Sequence, residues 1–122
     1  MAKTTKKDFE IFKKEVIKWQ GIFGLQDWTI HCVHGETNEK SRADYLTNIA
    51  GRLCTIFFTD NWDGIFEEKT ELGIKQVAFH EVAELSIHDL RVYALYFVNE
   101  QFVEDATHKI VRKLENVLFP KY

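Results

Sequence analysis

Apolar residues recur at helical intervals along the first twenty positions. Phe9, Phe12, Val16 and Trp19 follow at spacings of 3, 4 and 3, the repeat that lines one stripe of an α-helix. Lys13, Lys14 and Lys18 take the other side. Thr5, with Asp8 three residues on, makes a capping-box start, and Gly21 and Gly24 end the helix. The period then changes. From Asp27 to His34, Trp28, Ile30 and Cys32 alternate with polar residues, which predicts a half-buried strand. A polar loop over 35–42 leads into looser alternation from Ala43 to Ile49, broken at Gly51. Residues 53–59, Leu-Cys-Thr-Ile-Phe-Phe-Thr, form the strongest strand in the chain. The turn cluster Asp60-Asn61-Trp62-Asp63-Gly64 follows it.

From about Lys69 to Leu90 the pattern is helical again, and a last helix runs from about Asn99 to Leu118. In that helix Val103, Ala106, Ile110, Leu114 and Val117 mark the core side, and Pro120 stops it. A helix, about three strands and two helices place the chain in the α+β class, with helices set on a small, mainly antiparallel sheet. No Pro/Gly/Ser-rich linker divides the 122 residues, so 1–122 reads as a single domain. Ten Phe, four Tyr and three Trp supply a core without a disulfide or metal staple. Cys32 and Cys54 are not in a C-x-x-C pair and read as buried thiols of a reducing compartment. Apolar runs are too short to span a membrane. Lys3, Lys6 and Lys7 have no apolar stretch behind them, so no signal peptide is expected and the cytoplasm is the expected compartment.

Net charge is −3 but unevenly spread. Residues 1–20 carry six Lys against three acids, whereas residues 60–105 carry eleven Asp/Glu against three Lys/Arg. Nucleic acid requires a basic stripe, and the reverse is present, so nucleic acid is set aside as a partner, except through mimicry in which the acids stand in for the polyanion.

The informative segment is Val77-Ala78-Phe79-His80-Glu81-Val82-Ala83-Glu84-Leu85-Ser86-Ile87-His88-Asp89-Leu90. At about 100° per residue from His80, Glu84 falls at about 40°, His88 at about 80° and Glu81 at about 100°. Apolar residues fill the arc from about 140° to about 340°. Four ionisable groups are thus confined to about a third of an otherwise apolar helix. A His and a carboxylate at i and i+4 meet across one turn and can close on one metal ion. His88 lies about 12 Å further along the axis and cannot share that ion with His80.

His80-Glu81-x-x-Glu84 resembles the H-E-x-x-H signature of zinc-dependent peptidases, with Glu at the second-ligand position. In the gluzincin branch a third ligand, a Glu, follows after nineteen residues; here residues 85–103 intervene and Glu104 is next. The element order is similar to the minimal zincin core, and the run from Trp28 to Phe119 resembles short phage-encoded proteins of this layout. The resemblance implies a zinc ion held by His80, Glu84 and Glu104, with Glu81 as general base in metal-assisted hydrolysis of a peptide bond. It also implies that the strand at 53–59 borders the cleft and pairs with an extended peptide. His108, one turn beyond Glu104, is an alternative third ligand, and the sequence does not choose between them. Two carboxylates on one cation would make it a poorer Lewis acid.

Plainer readings stand beside these. His80 and Glu84 read equally as a hydrogen-bonded pair on a partly buried face, and Glu104 with His108 as a solvated i,i+4 pair. His88, Asp89 and Arg91 read as a helix-end cluster, and His31 and His34 as surface histidines. Phe57, Phe58, Trp62 and Phe66 read as core, and Tyr93 and Tyr96 as packing between the last two helices. The acidic middle supports a competing function: a non-catalytic, phage-encoded binding or counter-defence protein on a degenerate zincin scaffold, meeting a basic host surface. A third reading is an assembly component that self-associates through an aromatic surface. The expected partner is a peptide or protein, with no nucleic acid and no membrane.

Overall fold

The computed structural model describes residues 3–37, 41–62 and 68–122. Asp63, Gly64 and Phe66, assigned above to a turn and to the core, lie outside the described residues. The first helix, α1 (Lys6–Ile22), starts at the expected reciprocal box. The Thr5 hydroxyl accepts from the Asp8 N–H at 3.1 Å, and Asp8 Oδ2 accepts from the Thr5 N–H at 2.9 Å. At its far end the Leu25 N–H donates to the Gln20 carbonyl at 2.9 Å. Gly24, at φ +69°, makes the left-handed turn this ending requires. Phe12, Val16 and Trp19 are buried on the stripe that their spacing predicts.

Three strands follow, β1 (Thr29–Gly35), β2 (Ala43–Asn48) and β3 (Leu53–Thr59), in the spatial order β1-β3-β2. The sheet is mixed: β2 and β3 form an antiparallel hairpin, but β1 pairs with β3 in parallel over all seven residues. The reason lies in the hydrophobic pattern. The most apolar strand takes the centre, so β2 is displaced to the far edge and β3 returns beside β1 in the same direction. Three cross-strand rows, Ile30–Cys54–Thr47, Cys32–Ile56–Tyr45 and His34–Phe58–Ala43, face the helices. Cys54, Ile56 and Phe58 at their centres are fully buried.

The next helix, α2 (Glu71–Ser86), is capped by Thr70, whose hydroxyl accepts from the Gly73 N–H at 2.9 Å. Ile74, Ala78, Phe79, Val82, Ala83 and Leu85 are buried, so α2 is enclosed on most of its circumference. Trp19 meets Phe79 edge-on at 4.7 Å, and Phe12 stacks on Phe58 at 4.6 Å, joining α1 to α2 and to the sheet. The helix expected to reach Leu90 breaks at Ile87 (φ −113°, ψ 11°), and α3 (His88–Ala94) begins there. Ser86 donates its hydroxyl to the Ala83 carbonyl at 2.6 Å, and the Ile87 N–H turns back to Glu84 at 3.2 Å. A hydroxyl competing for a backbone carbonyl and a β-branched residue behind it favour such a break.

The last helix, α4 (Glu100–Leu118), starts at Asn99, whose Oδ1 accepts from the Gln101 N–H at 2.8 Å. Its core side is Val103, Thr107 and Val111, with Leu114 and Leu118 packed against the core. Val103 and Leu114 agree with the expected stripe, whereas Ala106, Ile110 and Val117 are exposed. Thr107 passes as apolar because its hydroxyl is satisfied by the Val103 carbonyl at 2.8 Å. Trp62 and Phe58 are buried as expected and Phe57 is half-buried on the outer face.

Urea unfolding followed by tryptophan fluorescence is expected to show a loss of about 1 kcal/mol for Thr5→Ala, from the missing cap. Phe58→Ala should cost about 3–5 kcal/mol, the usual range for truncating a fully packed ring.

Candidate functional site

Apolar residues claim most of the second half of α2, so the ionisable groups His80, Glu81 and Glu84 emerge along the border facing β2 and α4. His80 Nε2 lies 2.5 Å from Glu84 Oε2, across one turn. Glu81 points into a cleft of about 590 Å³ between β2 and the α2–α3 corner, whose walls include Asp44, Tyr45, Thr47, Glu84 and His88. Glu81 is only 6% exposed. Burial pushes its pKa well above the ordinary 4.5, and repulsion from Glu84 and Asp44 adds to the rise. A carboxyl held near its neutral form beside an imidazole–carboxylate pair suits proton transfer.

The α4 helix lays Glu104 and His108 against this border. The His108 ring centroid is 6.1 Å from that of His80, and His108 Nε2 is 3.9 Å from Glu104 Oε2. Glu104 is engaged elsewhere. Its Oε1 accepts from Arg91 Nε at 2.9 Å and from Nη2 in a closer contact. The predicted residues His80, Glu81, Glu84, Glu104 and His108 therefore share one neighbourhood, reached from α2 and α4. Among the described residues, no three His, Cys, Asp or Glu side chains are grouped to hold a metal ion. Arg91 is the site residue that sequence reasoning assigned elsewhere; its spacing from Glu104 carries no sign of the pairing, because the turn between α3 and α4 creates it.

His88 is a correction. Far from forming a cationic helix-end cluster, it is buried at the head of α3. Its Nδ1 lies 3.2 Å from the Tyr45 hydroxyl and its Nε2 2.9 Å from the Thr47 hydroxyl. Burial and the nearby Arg91 lower its pKa below the ordinary 6.5, favouring neutral imidazole. Asp89 turns away to Arg52 at 2.9 Å. Arg52, at φ 52°, also binds Asp27 at 2.5 Å and lies over the Trp28 ring at 4.0 Å. The alternation of Tyr45 and Thr47 on one face of β2 was the available signal; the break at Ile87 that brings His88 to them was not visible.

Two other histidines divide. His31 is exposed as expected, but His34 is half-buried, stacked on Phe9 at 5.0 Å. Thr4 donates its hydroxyl to the Thr59 carbonyl at 2.6 Å, so at 2.6 Å from His34 Nε2 it accepts the ring N–H. Tyr93 and Tyr96 are exposed instead of packed between helices. Cys32 and Cys54 are free thiols, raised by burial to about 11 and about 12. The strand at 53–59 does not border the cleft, because both its edges are paired; among the described residues the sheet edge that lines the cleft beside α2 is β2. Among the described residues, no helix is long and apolar enough to cross a membrane. Comparison with protein-family models, with curated proteins and with solved structures finds no match to this chain.

The pH dependence of stability follows from the two displaced groups. Glu81 has its pKa raised on folding, so the native state holds its proton longer, and stability falls as pH rises from about 4.5 toward the folded value. Glu81→Gln should therefore match the parent below pH 4.5 and be the more stable of the two at neutral pH. His88 acts on the other side: its lowered pKa makes stability fall as pH drops below 6.5. His88→Gln should flatten that acid limb in urea titrations across the same range.

Proposed function

We propose that the chain is a metallopeptidase-like hydrolase that cleaves an extended peptide lying along the open edge of β2. The observation that carries this reading is the buried Glu81 carboxyl in the cleft wall, one residue from the His80–Glu84 pair and beneath an unpaired strand edge. The donor types suit a borderline divalent cation such as Zn²⁺. His80 and Glu84 are already juxtaposed, and the half-exposed His108 ring stands next to His80. These three residues would hold the ion, with Glu104 retained by Arg91 as a support for α4 against α3. A bound Zn²⁺ supplies Lewis-acid polarisation of the scissile carbonyl.

The chain's own groups do the rest. Glu81 accepts a proton from the attacking water and returns it to the leaving amine, a role that needs a pKa raised toward neutrality. The β2 edge offers backbone N–H and C=O groups to an incoming strand. Tyr45 is kept as a neutral phenol, its pKa pushed up by burial, and is held in position by His88. The neutral His88–Tyr45–Thr47 set keeps the edge strand at a set distance from α2.

The Arg91–Glu104 ion pair favours a second reading. A carboxylate taken up by a guanidinium is a poor ligand, as expected for a non-catalytic, phage-encoded binding or counter-defence protein that keeps the zincin scaffold and presents its acidic segment to a basic partner.

Equilibrium dialysis with Zn²⁺ separates the two. The hydrolase reading expects about one equivalent of zinc, lost in His80→Ala and Glu84→Ala, weakened about tenfold or more in His108→Ala and little changed in Glu104→Ala. Glu81→Gln should keep the zinc and lose cleavage of an unfolded protein substrate by about a hundredfold or more. Less than about a tenth of an equivalent, unaltered by His80→Ala, would overturn it and leave the binding-protein reading.

A further inference from the structure

Away from the cleft, α4 carries a second apolar stripe. Phe102, Ala106 and Ile110 recur every four residues, with Val117 seven further on, along the flank that the core leaves uncovered. They continue onto α3: Leu90, Ala94, Val98, Phe102, Ala106 and Ile110 line one groove of about 310 Å³. Along this groove Phe102 is 68% exposed and Leu90 66%. Leu90, Val98, Phe102 and Ile110 together leave the equivalent of about two large side chains, roughly 400 Å², in water along the groove. A typical monomer's largest apolar patch is about 300–600 Å², and a standard interface takes about 800 Å² from each partner. The groove lies in the size range that is often functional, and it would form the apolar centre of an interface whose rim is polar.

Charge selects the occupant. α4 carries Glu100, Glu104, Asp105 and Glu115 among its acids and Lys109, Arg112 and Lys113 among its bases, and of these Asp105 and Lys109 border the apolar stripe in its middle. Two copies of α4 packed antiparallel bring these middle positions together, and Ala106 at the crossing lets the backbones approach. Asp105 and Lys109 flank the apolar stripe on the same side, so a two-fold axis near residue 107 sets Asp105 of each copy beside Lys109 of the other. An anionic membrane would instead want an unbroken basic rim.

We propose that the α3–α4 face is a self-complementary dimer interface, joining two copies through antiparallel α4 helices with the clefts left open. Glu104 and His108 lie on the opposite flank of the α4 core stripe from Ala106 and Ile110, so the proposal does not rest on the hydrolase reading. Sedimentation equilibrium on the full chain over about 1–200 µM tests it. A dimer is expected, with Ile110→Glu abolishing it. Lys109→Asp should weaken it about tenfold or more, and Asp105→Lys with Lys109→Asp should restore it to within about threefold. These two positions are exposed, so the charge swap remains informative even if Ile110→Glu fails to fold. A monomer throughout the range, a dimer indifferent to both changes, or a monomer that co-sediments with phosphatidylcholine vesicles would overturn the proposal.

Discussion

The near-complete enclosure of α2 is the constraint on which the rest of the molecule depends. From α1, Trp19 meets Phe79 of α2 and Phe12 stacks on Phe58 of the sheet. Ring pairs of this kind add edge and stacking preferences to ordinary hydrophobic burial, and they set the rotation of α2 about its own axis. With that rotation set, the polar residues of its second half emerge at the border shared with β2 and α4. His80, Glu81 and Glu84 are gathered there because Ala78, Phe79, Val82, Ala83 and Leu85 are buried around them.

Enclosure also sets the electrostatics of the border. Glu81 is drawn inward with the apolar residues on either side of it and loses hydration, whereas His80 and Glu84 sit further out and compensate each other. Neighbouring carboxyls on one helix thus have different environments, the arrangement by which one fold separates a proton carrier from a ligand or anchor. On the facing wall His88 is likewise buried, but its two ring nitrogens are both occupied by hydroxyls of β2. Buried polar groups with partners lend the cleft a defined shape at little cost.

The final helix shows what happens when a sequence offers two apolar stripes to one core. The core takes Val103, Thr107 and Val111, and the competing stripe through Ala106 and Ile110 is left outside. This choice brings Glu104 and His108 to the α2 border and creates the exposed groove against α3. The same rotation of α4 therefore assembles the candidate site and exposes the surface assigned to a second copy.

Local chemistry was legible in the sequence. The Thr5–Asp8 cap, the end of α1 at Gly24, the three strands, the break in pattern between sheet and helices and the concentration of His80, Glu81 and Glu84 on one arc all rest on interactions within a few residues, which spacing alone reports. The pairing partners were not. The parallel register of β1 and β3 depends on which strand occupies the centre, the burial of His88 on a helix break that swings it to Tyr45 and Thr47, and the capture of Glu104 on the angle between α3 and α4. Sequence periodicity is unchanged by rotating a whole helix or exchanging two strands. Those choices are made by competition among packed surfaces distant along the chain, and tertiary structure alone resolves that competition.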